Sequence, residues 1–278
     1  MRLSACLISV ALAFSAPAAV AQDRSYVPER RLVLTEGMDF YGSDVQSIFD
    51  TTIDACEAAC LANTACTAMT FNAKANSCFL KSDVSSQEPY AGAYSGWVRT
   101  ANEGAAGVAA ARAADLAFLQ SSDFDAALAQ AQGLAREHIT GDWAEEDLLA
   151  TASGAFANGD YLGASRAQGA ALNLTDAADQ WAGYADMLLA AALADPNQSA
   201  DLSWRALSAS VNAYLRADNV NLQATILPTL ARALEATGRG RDMIPALILA
   251  QDLAPRDDTA AMLDGAVGKY GFNLNEHT

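Results

Sequence analysis

Four of the five cysteines lie close together in the chain, at Cys56, Cys60, Cys66 and Cys78. Cysteines at such short spacings either hold a metal ion or form disulfide bonds. Two C-x-x-C pairs would strongly indicate zinc, whereas this segment has one C-x3-C pair followed by two isolated cysteines. We therefore predict two disulfide bonds, and no metal or other cofactor.

The elements that carry the cysteines limit how they can pair, since four cysteines allow three pairings. The first two lie in TTIDACEAACLAN, which has helical character and places both sulfur atoms on one face. The other two lie in CTAMTFN and SCFLK, which predict a hairpin of two strands. A helix packed on this hairpin can join Cys56 to Cys78 and Cys60 to Cys66.

Catalytic side chains are sparse. The chain has two histidines, His138 and His277, and neither lies in a nucleophile elbow or an H-E-x-x-H motif. Acidic clusters such as residues 145–147 lie where helices are expected to begin, and the helix dipole favours negative charge there. We therefore expect a protein that is not an enzyme.

The first 21 residues are typical of a Sec signal peptide, because an apolar run follows Arg2 and a small-x-small cleavage pattern ends at Ala21. An alternative is lipidation at Cys6, although no apolar stretch precedes that cysteine. No later segment has about 20 uninterrupted apolar residues. We expect a periplasmic or secreted protein, cleaved after Ala21, with oxidised cysteines and no stable membrane insertion.

The charge of the chain excludes one class of partner. The formal net charge is −16, and only 17 of the 278 residues are Lys or Arg. Nucleic acids and anionic membranes repel a protein of this charge. We therefore expect protein or glycan partners and no nucleic acid.

The cysteine-rich segment resembles PAN/Apple domains over residues 31–99. The similarity rests on the C-x3-C helix, on the strand cysteine followed by A-x-T-F-N, on C-F-L-K and on the closing G-A-Y-S-G. The resemblance implies a small antiparallel sheet that cradles one helix, with a disulfide pairing that agrees with the one above. It implies the shorter PAN form, since a cysteine pair for the outer Apple disulfide is lacking, and binding of proteins or carbohydrates without catalytic residues.

Aromatic side chains of this segment are candidates for a ligand surface. Five of them could line such a surface, namely Phe40, Tyr41, Tyr90, Tyr94 and Trp97. A small disulfide-bonded module also needs aromatic side chains in its core, and Phe71, Phe79 and Trp97 are expected there. Tyr90 and Tyr94, in a glycine-containing segment, are the better surface candidates.

The composition changes after this module. Residues 22–30 are predicted as a linker, residues 31–99 as the PAN/Apple domain and residues 100–107 as a Gly/Ala-rich hinge. From residue 108 to residue 278 no cysteine occurs and alanine is abundant, which favours helices. We predict an α+β PAN/Apple module followed by an all-α, TPR-like helical repeat domain.

Internal similarity supports the repeat prediction. SDFDAALAQAQGLA, GDYLGASRAQGAALNLT and GRGRDMIPALILAQDLAP each have a polar turn followed by small residues at helical spacing. Aligning Ala127, Ala164, Ala206 and Met243 gives steps of 37, 42 and 37 residues. This spacing resembles that of degenerate tetratricopeptide repeats, which are more often scaffolds than enzymes.

The order of the two parts resembles a larger architecture. A PAN/Apple module followed by an Ala-rich helical region, with D-F-Y-G-S-D at residues 39–44 and Y-G-F at residues 270–272 before His277, is similar to the N-terminal region of proteobacterial alpha-2-macroglobulin-like proteins. The resemblance implies a periplasmic protease inhibitor whose bait and thioester regions lie beyond this chain, and partners that include proteases. The alternative is a free-standing exported adaptor that binds a protein or a glycan.

Overall fold

A computed structural model describes residues 26–136 and 144–271. The predicted signal peptide at residues 1–21, the alternative lipidation site Cys6 and both histidines, His138 and His277, lie outside the described residues.

The N-terminal part is built on one five-stranded antiparallel sheet with the strand order β1-β5-β3-β4-β2. Its strands are β1 (Arg30–Tyr41), β2 (Asp44–Ile48), β3 (Ala68–Asn72), β4 (Ser77–Lys81) and β5 (Ser86–Thr100). The two longest strands, β1 and β5, pair over most of their length and form a ribbon with a bulge between Glu36 and Met38. The predicted hairpin corresponds to β3 and β4, although Cys66 lies just before β3.

Helix α1 (Ile53–Ala62) packs on this sheet. Its N-terminus is capped by the Thr52 hydroxyl, which accepts a hydrogen bond from the Ala55 amide. At the other end the Arg30 guanidinium donates to the carbonyl oxygens of Leu61 at 2.6 Å and Asn63 at 3.1 Å. This contact satisfies carbonyl groups that a helix C-terminus leaves without partners, and it joins α1 to β1.

The rest of the chain is helical. The helices are α2 (Ala105–Asp115), α3 (Ser121–Arg136), α4 (Glu145–Ala157), α5 (Tyr161–Thr175), α6 (Ala178–Ala194), α7 (Ser199–Arg216), α8 (Val220–Ala236), α9 (Met243–Leu253) and α10 (Asp257–Tyr270), with a 3₁₀ turn at Gly240–Asp242 before α9. Consecutive helices from α4 to α10 pack against one another, and α2 and α3 both pack against α7.

The four positions aligned in the sequence are all buried in this region, at Ala127, Ala164, Ala206 and Met243. The alanine side chains at three of these positions let helix backbones approach closely. Buried polar groups on α7 find partners, since the Asn212 side-chain amide donates to the Ala127 carbonyl oxygen of α3 at 2.7 Å. Helix α7 is therefore the centre of the helical core.

The two parts of the chain are in contact. Val27, within the predicted linker, is buried in the hydrophobic core of the helices. Helix α2 begins at Ala105, within the segment that was predicted as a hinge. Strand β1 packs against α3. Chain segments on both sides of the module therefore take part in helical packing, through Val27 before it and Ala105 after it, while the linker and hinge bounds stay predictions.

The predicted fold class is confirmed: a small antiparallel sheet with two disulfide bonds is followed by an all-α region. Within the described ranges, no helix combines the length and the apolar character needed to cross a membrane.

Candidate ligand-binding surfaces

The two disulfide bonds fix the helix of the small module to its sheet. Cys56 on α1 is bonded to Cys78 on β4, with 5.5 Å between their Cα atoms, and Cys60 is bonded to Cys66, with 5.3 Å between theirs. All four cysteines are fully or almost fully buried. They form one hydrophobic cluster with apolar residues of the sheet, including Met69. The disulfide bonds therefore fix the position of α1 on the sheet that carries the candidate surface side chains.

Tyr94 lies in the middle of β5 and is half-buried against that cluster. Its hydroxyl donates to Glu36 Oε1 at 3.0 Å, and this hydrogen bond to a carboxylate raises the pKa of Tyr94. Much of the Tyr94 side chain therefore contacts other residues of the module and is not available to a ligand. Tyr90, on the same strand, is 39% exposed, and Lys74 Nζ lies 4.8 Å from the centre of its ring.

The expected core aromatics occupy three different environments. Phe71 is buried, whereas Phe79 and Trp97 are half-buried. The Trp97 ring packs at 5.2 Å on Phe40, which is 2% exposed and so cannot line a contact surface as the sequence suggested. Phe79 meets the edge of the exposed Phe49 ring at 6.4 Å.

A surface that the sequence only partly indicated lies at the far end of the β1–β5 ribbon. Asp39 pairs directly with Glu88 across the two strands, and Tyr41 pairs with Ser86. Residues directly opposite in an antiparallel pair share a face, as do residues two apart on one strand. This face therefore displays Tyr41, which is 44% exposed, and, on the other side of the Asp39–Glu88 pair, Tyr90. Alternation in M-D-F-Y and Q-E-P-Y could have revealed it.

The junction between the module and the helices holds a second group of charged side chains. Arg216 Nε donates to Asp176 Oδ1 at 2.7 Å, and the Trp181 indole N–H donates to the same oxygen at 2.8 Å. Arg31 lies nearby, and its burial lowers its pKa while the Asp176 carboxylate opposes that shift. A cleft of about 420 Å³ opens beside this group.

Positive and negative side chains are present in nearly equal numbers around this cleft. Its lining includes three guanidinium groups and four carboxylates, from Arg31, Arg99, Arg216, Glu103, Asp176, Asp179 and Asp218. Arg216 Nη1 also donates to the Asn212 carbonyl and side-chain oxygens, so the Nε and Nη1 donors already have partners inside the protein. The junction is therefore explained by contacts that hold α5, α6 and α7 to the small module.

No group of three or more His, Cys, Asp or Glu side chains in the described part of the chain is placed to hold a metal ion. The buried charged side chains serve packing instead. For example, the Asp123 carboxylate at the start of α3 accepts hydrogen bonds from the Gln120 amide at 2.9 Å and from Arg239 Nη1 at 2.5 Å. This joins α3 to the turn after α8.

Comparison with known proteins gives one match. The PAN domain family matches residues 31–99, the part of the chain that carries the sheet and both disulfide bonds. Neither the curated proteins nor the solved structures compared with the chain gave a match. Residues 31–99 are therefore a PAN domain, and an all-α region follows it.

Proposed function

We propose that this chain is a non-catalytic, exported binding protein, in which the PAN domain binds a protein or a carbohydrate and the helical region is its scaffold. The observation that carries the proposal is the disulfide-bonded PAN domain itself, since PAN domains bind proteins or carbohydrates. A predicted Sec signal peptide with cleavage after Ala21 agrees with the disulfide bonds, which persist in oxidising compartments.

The scaffold role is supported by how the helical region meets the PAN domain. Arg31 of β1 contacts backbone carbonyl groups of α5, and β1 packs on α3. A binding domain that is held against a stack of helices presents its ligand surface in a fixed direction. Helical stacks of this kind commonly position other modules or partners.

The finer proposal is that the chain is the N-terminal region of a periplasmic alpha-2-macroglobulin-like protease inhibitor. It is supported by the order of a PAN domain and an Ala-rich helical region, and by the segments at residues 39–44 and 270–272. In such a protein the bait and thioester regions lie beyond this chain, and the partners of the whole protein include proteases. The alternative is a free-standing adaptor of the same two parts.

The binding function is tested by screening the oxidised protein, residues 22–278, against a glycan array and against a peptide and protein panel that includes proteases. We expect saturable binding of at least one ligand, and loss of that binding when both disulfide bonds are reduced. A matched sample treated with oxidised reagent is the control. Binding that survives full reduction, or no saturable binding at all, would contradict the proposal.

The finer proposal is tested by reading the native coding DNA after the Thr278 codon. An open frame that continues into a bait region and a Cys-x-x-Gln thioester motif supports the inhibitor. A stop codon directly after Thr278 would overturn it and favour the adaptor.

A further inference from the structure

One exposed face of the PAN domain combines aromatic rings with negative charge. This face, the tyrosine ribbon, is defined by Asp39 and Tyr41 on β1 and by Glu88 and Tyr90 on β5. Asp39 and Glu88 are directly opposite, and each tyrosine lies two positions from one of these carboxylates on its own strand, so all four side chains share a face. The ribbon thus places two carboxylates between two aromatic rings.

The rings of Tyr41 and Tyr90 are exposed, although the other face of β1 buries an aromatic side chain in the core of the domain. Phe40, between Asp39 and Tyr41, points to the opposite face and is 2% exposed. Tyr41 and Tyr90 are instead 44% and 39% exposed. Tyrosine side chains that present a ring and a hydroxyl at a surface are typical of binding interfaces.

The carboxylates of the ribbon oppose each other without a cation between them. Like charges directly opposite in an antiparallel pair are destabilising. In the described part of the chain, neither Asp39 nor Glu88 takes part in an ion pair. The pKa of Tyr41 is raised, first by the Asp39 charge and also by Glu88, so the negative field reaches the ring and its hydroxyl. A cation placed over this face would remove that repulsion.

One cation of the protein itself already contacts an aromatic ring of the tyrosine ribbon. Lys74, in the turn between β3 and β4, places its Nζ atom 4.8 Å from the centre of the Tyr90 ring. A cation over an aromatic ring at this distance is attracted to the negative face of the ring. The side of the face around Tyr41 offers the same kind of ring together with the two carboxylates.

We propose that the tyrosine ribbon is the ligand surface of the PAN domain and that it binds a Lys- or Arg-bearing segment of a partner protein. This inference rests on the proposed binding function and specifies its partner. Charge complementarity selects this occupant, because a basic side chain neutralises Asp39 and Glu88 while it contacts Tyr41. A neutral glycan could stack on the rings but would leave the repulsion between the carboxylates in place.

The test measures binding of fluorescent peptides to oxidised residues 22–278 by anisotropy. The probe alternates Lys and Ser, and a matched peptide alternates Glu and Ser. We expect binding of the Lys peptide only, with an affinity that falls as NaCl is raised. The double variant Asp39→Asn with Glu88→Gln should weaken binding about tenfold, and Tyr41→Ala about threefold.

The matched control changes the same amount of charge elsewhere. Glu145 and Glu146 are exposed at the start of α4, and Glu145→Gln with Glu146→Gln should leave the affinity unchanged within about twofold. If the control weakens binding as much as the ribbon variant, the peptide responds to net charge and the inference is wrong. Equal binding by the ribbon variant and the parent protein would also overturn it.

Stability provides an independent readout, since removing two opposed charges should raise the melting temperature of Asp39→Asn with Glu88→Gln relative to the parent. A lower melting temperature would contradict the repulsion on which the inference depends.

Failure of the proposed binding function and failure of the tyrosine ribbon can be told apart. A glycan or peptide that binds equally well to the ribbon variant supports the binding function and overturns the tyrosine ribbon, whereas no saturable ligand in any screen overturns both.

Discussion

Arg31 Nη2, on the first strand of the PAN domain, lies 3.0 Å from the Asn173 carbonyl oxygen on α5 of the helical region. The guanidinium is half-buried, and this burial lowers the pKa of Arg31 because the charged form loses part of its hydration. Asp176 and the backbone carbonyl offset that penalty. This contact explains how an Ala-rich helical stack and a small disulfide-bonded sheet are held together.

Replacing Arg31 by Met should therefore uncouple the two parts. Loss of a hydrogen bond from a charged donor costs about 1.5–3 kcal/mol, while Met keeps the apolar stem that packs at the junction. In differential scanning calorimetry we expect the transition of the PAN domain to move to lower temperature and to separate from that of the helices. Arg99→Met is the matched control, because Arg99 pairs with Arg31 across β1 and β5 but is exposed. Equal effects of the two variants would contradict this role for Arg31.

The two disulfide bonds should contribute unequally to the PAN domain. The Cys56–Cys78 bridge closes 22 residues and the Cys60–Cys66 bridge closes 6, which corresponds to about 3 and about 2 kcal/mol of loop entropy. In variants in which one cysteine pair is replaced by Ala, we expect faster amide hydrogen exchange in β3 and β4 than in the parent protein. The effect should be larger for the pair Cys56 and Cys78, which closes the longer loop. Amides of α7 and α8 should keep their protection. Uniform loss of protection across the helices would show that the two parts unfold as one unit.

Glycine at position 96 is required by the close approach of two strands. A Cβ atom at Gly96 would lie 2.6 Å from Leu34 Cδ2 and 3.0 Å from the Val33 carbonyl oxygen. Gly96→Ala should therefore lower the free energy of unfolding of the PAN domain, by about 1–3 kcal/mol, as overpacking does. Gly107→Ala is the opposite case, since nothing lies within 4 Å of that Cβ on α2 and alanine favours helix by about 1 kcal/mol. Urea unfolding of both variants measures the difference, and similar shifts would contradict the steric argument.

Local patterns predict local structure well in this chain. The C-x3-C spacing and the two short β-type stretches lead to a helix on a hairpin, and the structure has α1 on β3 and β4 with the Cys56–Cys78 and Cys60–Cys66 bridges. These elements are determined by residues within about one turn or one hairpin of each other. The aligned alanines of the helical region were similarly predictable, because small residues recur where helices cross.

Contacts between distant segments could not be derived in the same way. The Arg31 contact joins residues 141–142 positions apart, and Val27 enters a core made of helices that follow much later in the chain. No periodicity within a segment marks such a pairing. The tyrosine ribbon was predicted only in part, through Tyr41 and Tyr90, for a related reason. Tyr41 and Glu88 become neighbours only through the β1–β5 register, and Phe40, adjacent to Tyr41, turns to the opposite face.

The buried Tyr214 should make the helical region sensitive to alkaline pH. Its hydroxyl lies 3.3 Å from Asp115 Oδ2, and burial, followed by the Asp115 charge, raises the pKa of Tyr214 well above its usual value. Arg112, which is paired with Asp115 at 3.2 Å, acts in the opposite direction but does not cancel the shift. The neutral hydroxyl is therefore the form that the folded protein retains.

The sign of the pH effect follows from this direction. A folded pKa above the unfolded value gives stability that is fully present below the ordinary tyrosine pKa of about 10, and that declines as the pH rises from there toward the folded pKa. We expect the melting temperature measured by circular dichroism to fall between pH 10 and 11 more steeply for the parent than for Tyr214→Phe. The variant keeps the ring in the core and removes the ionisable group, so at pH 7 it should lose only about 1 kcal/mol. Parallel declines for both proteins would mean that another group controls unfolding at high pH.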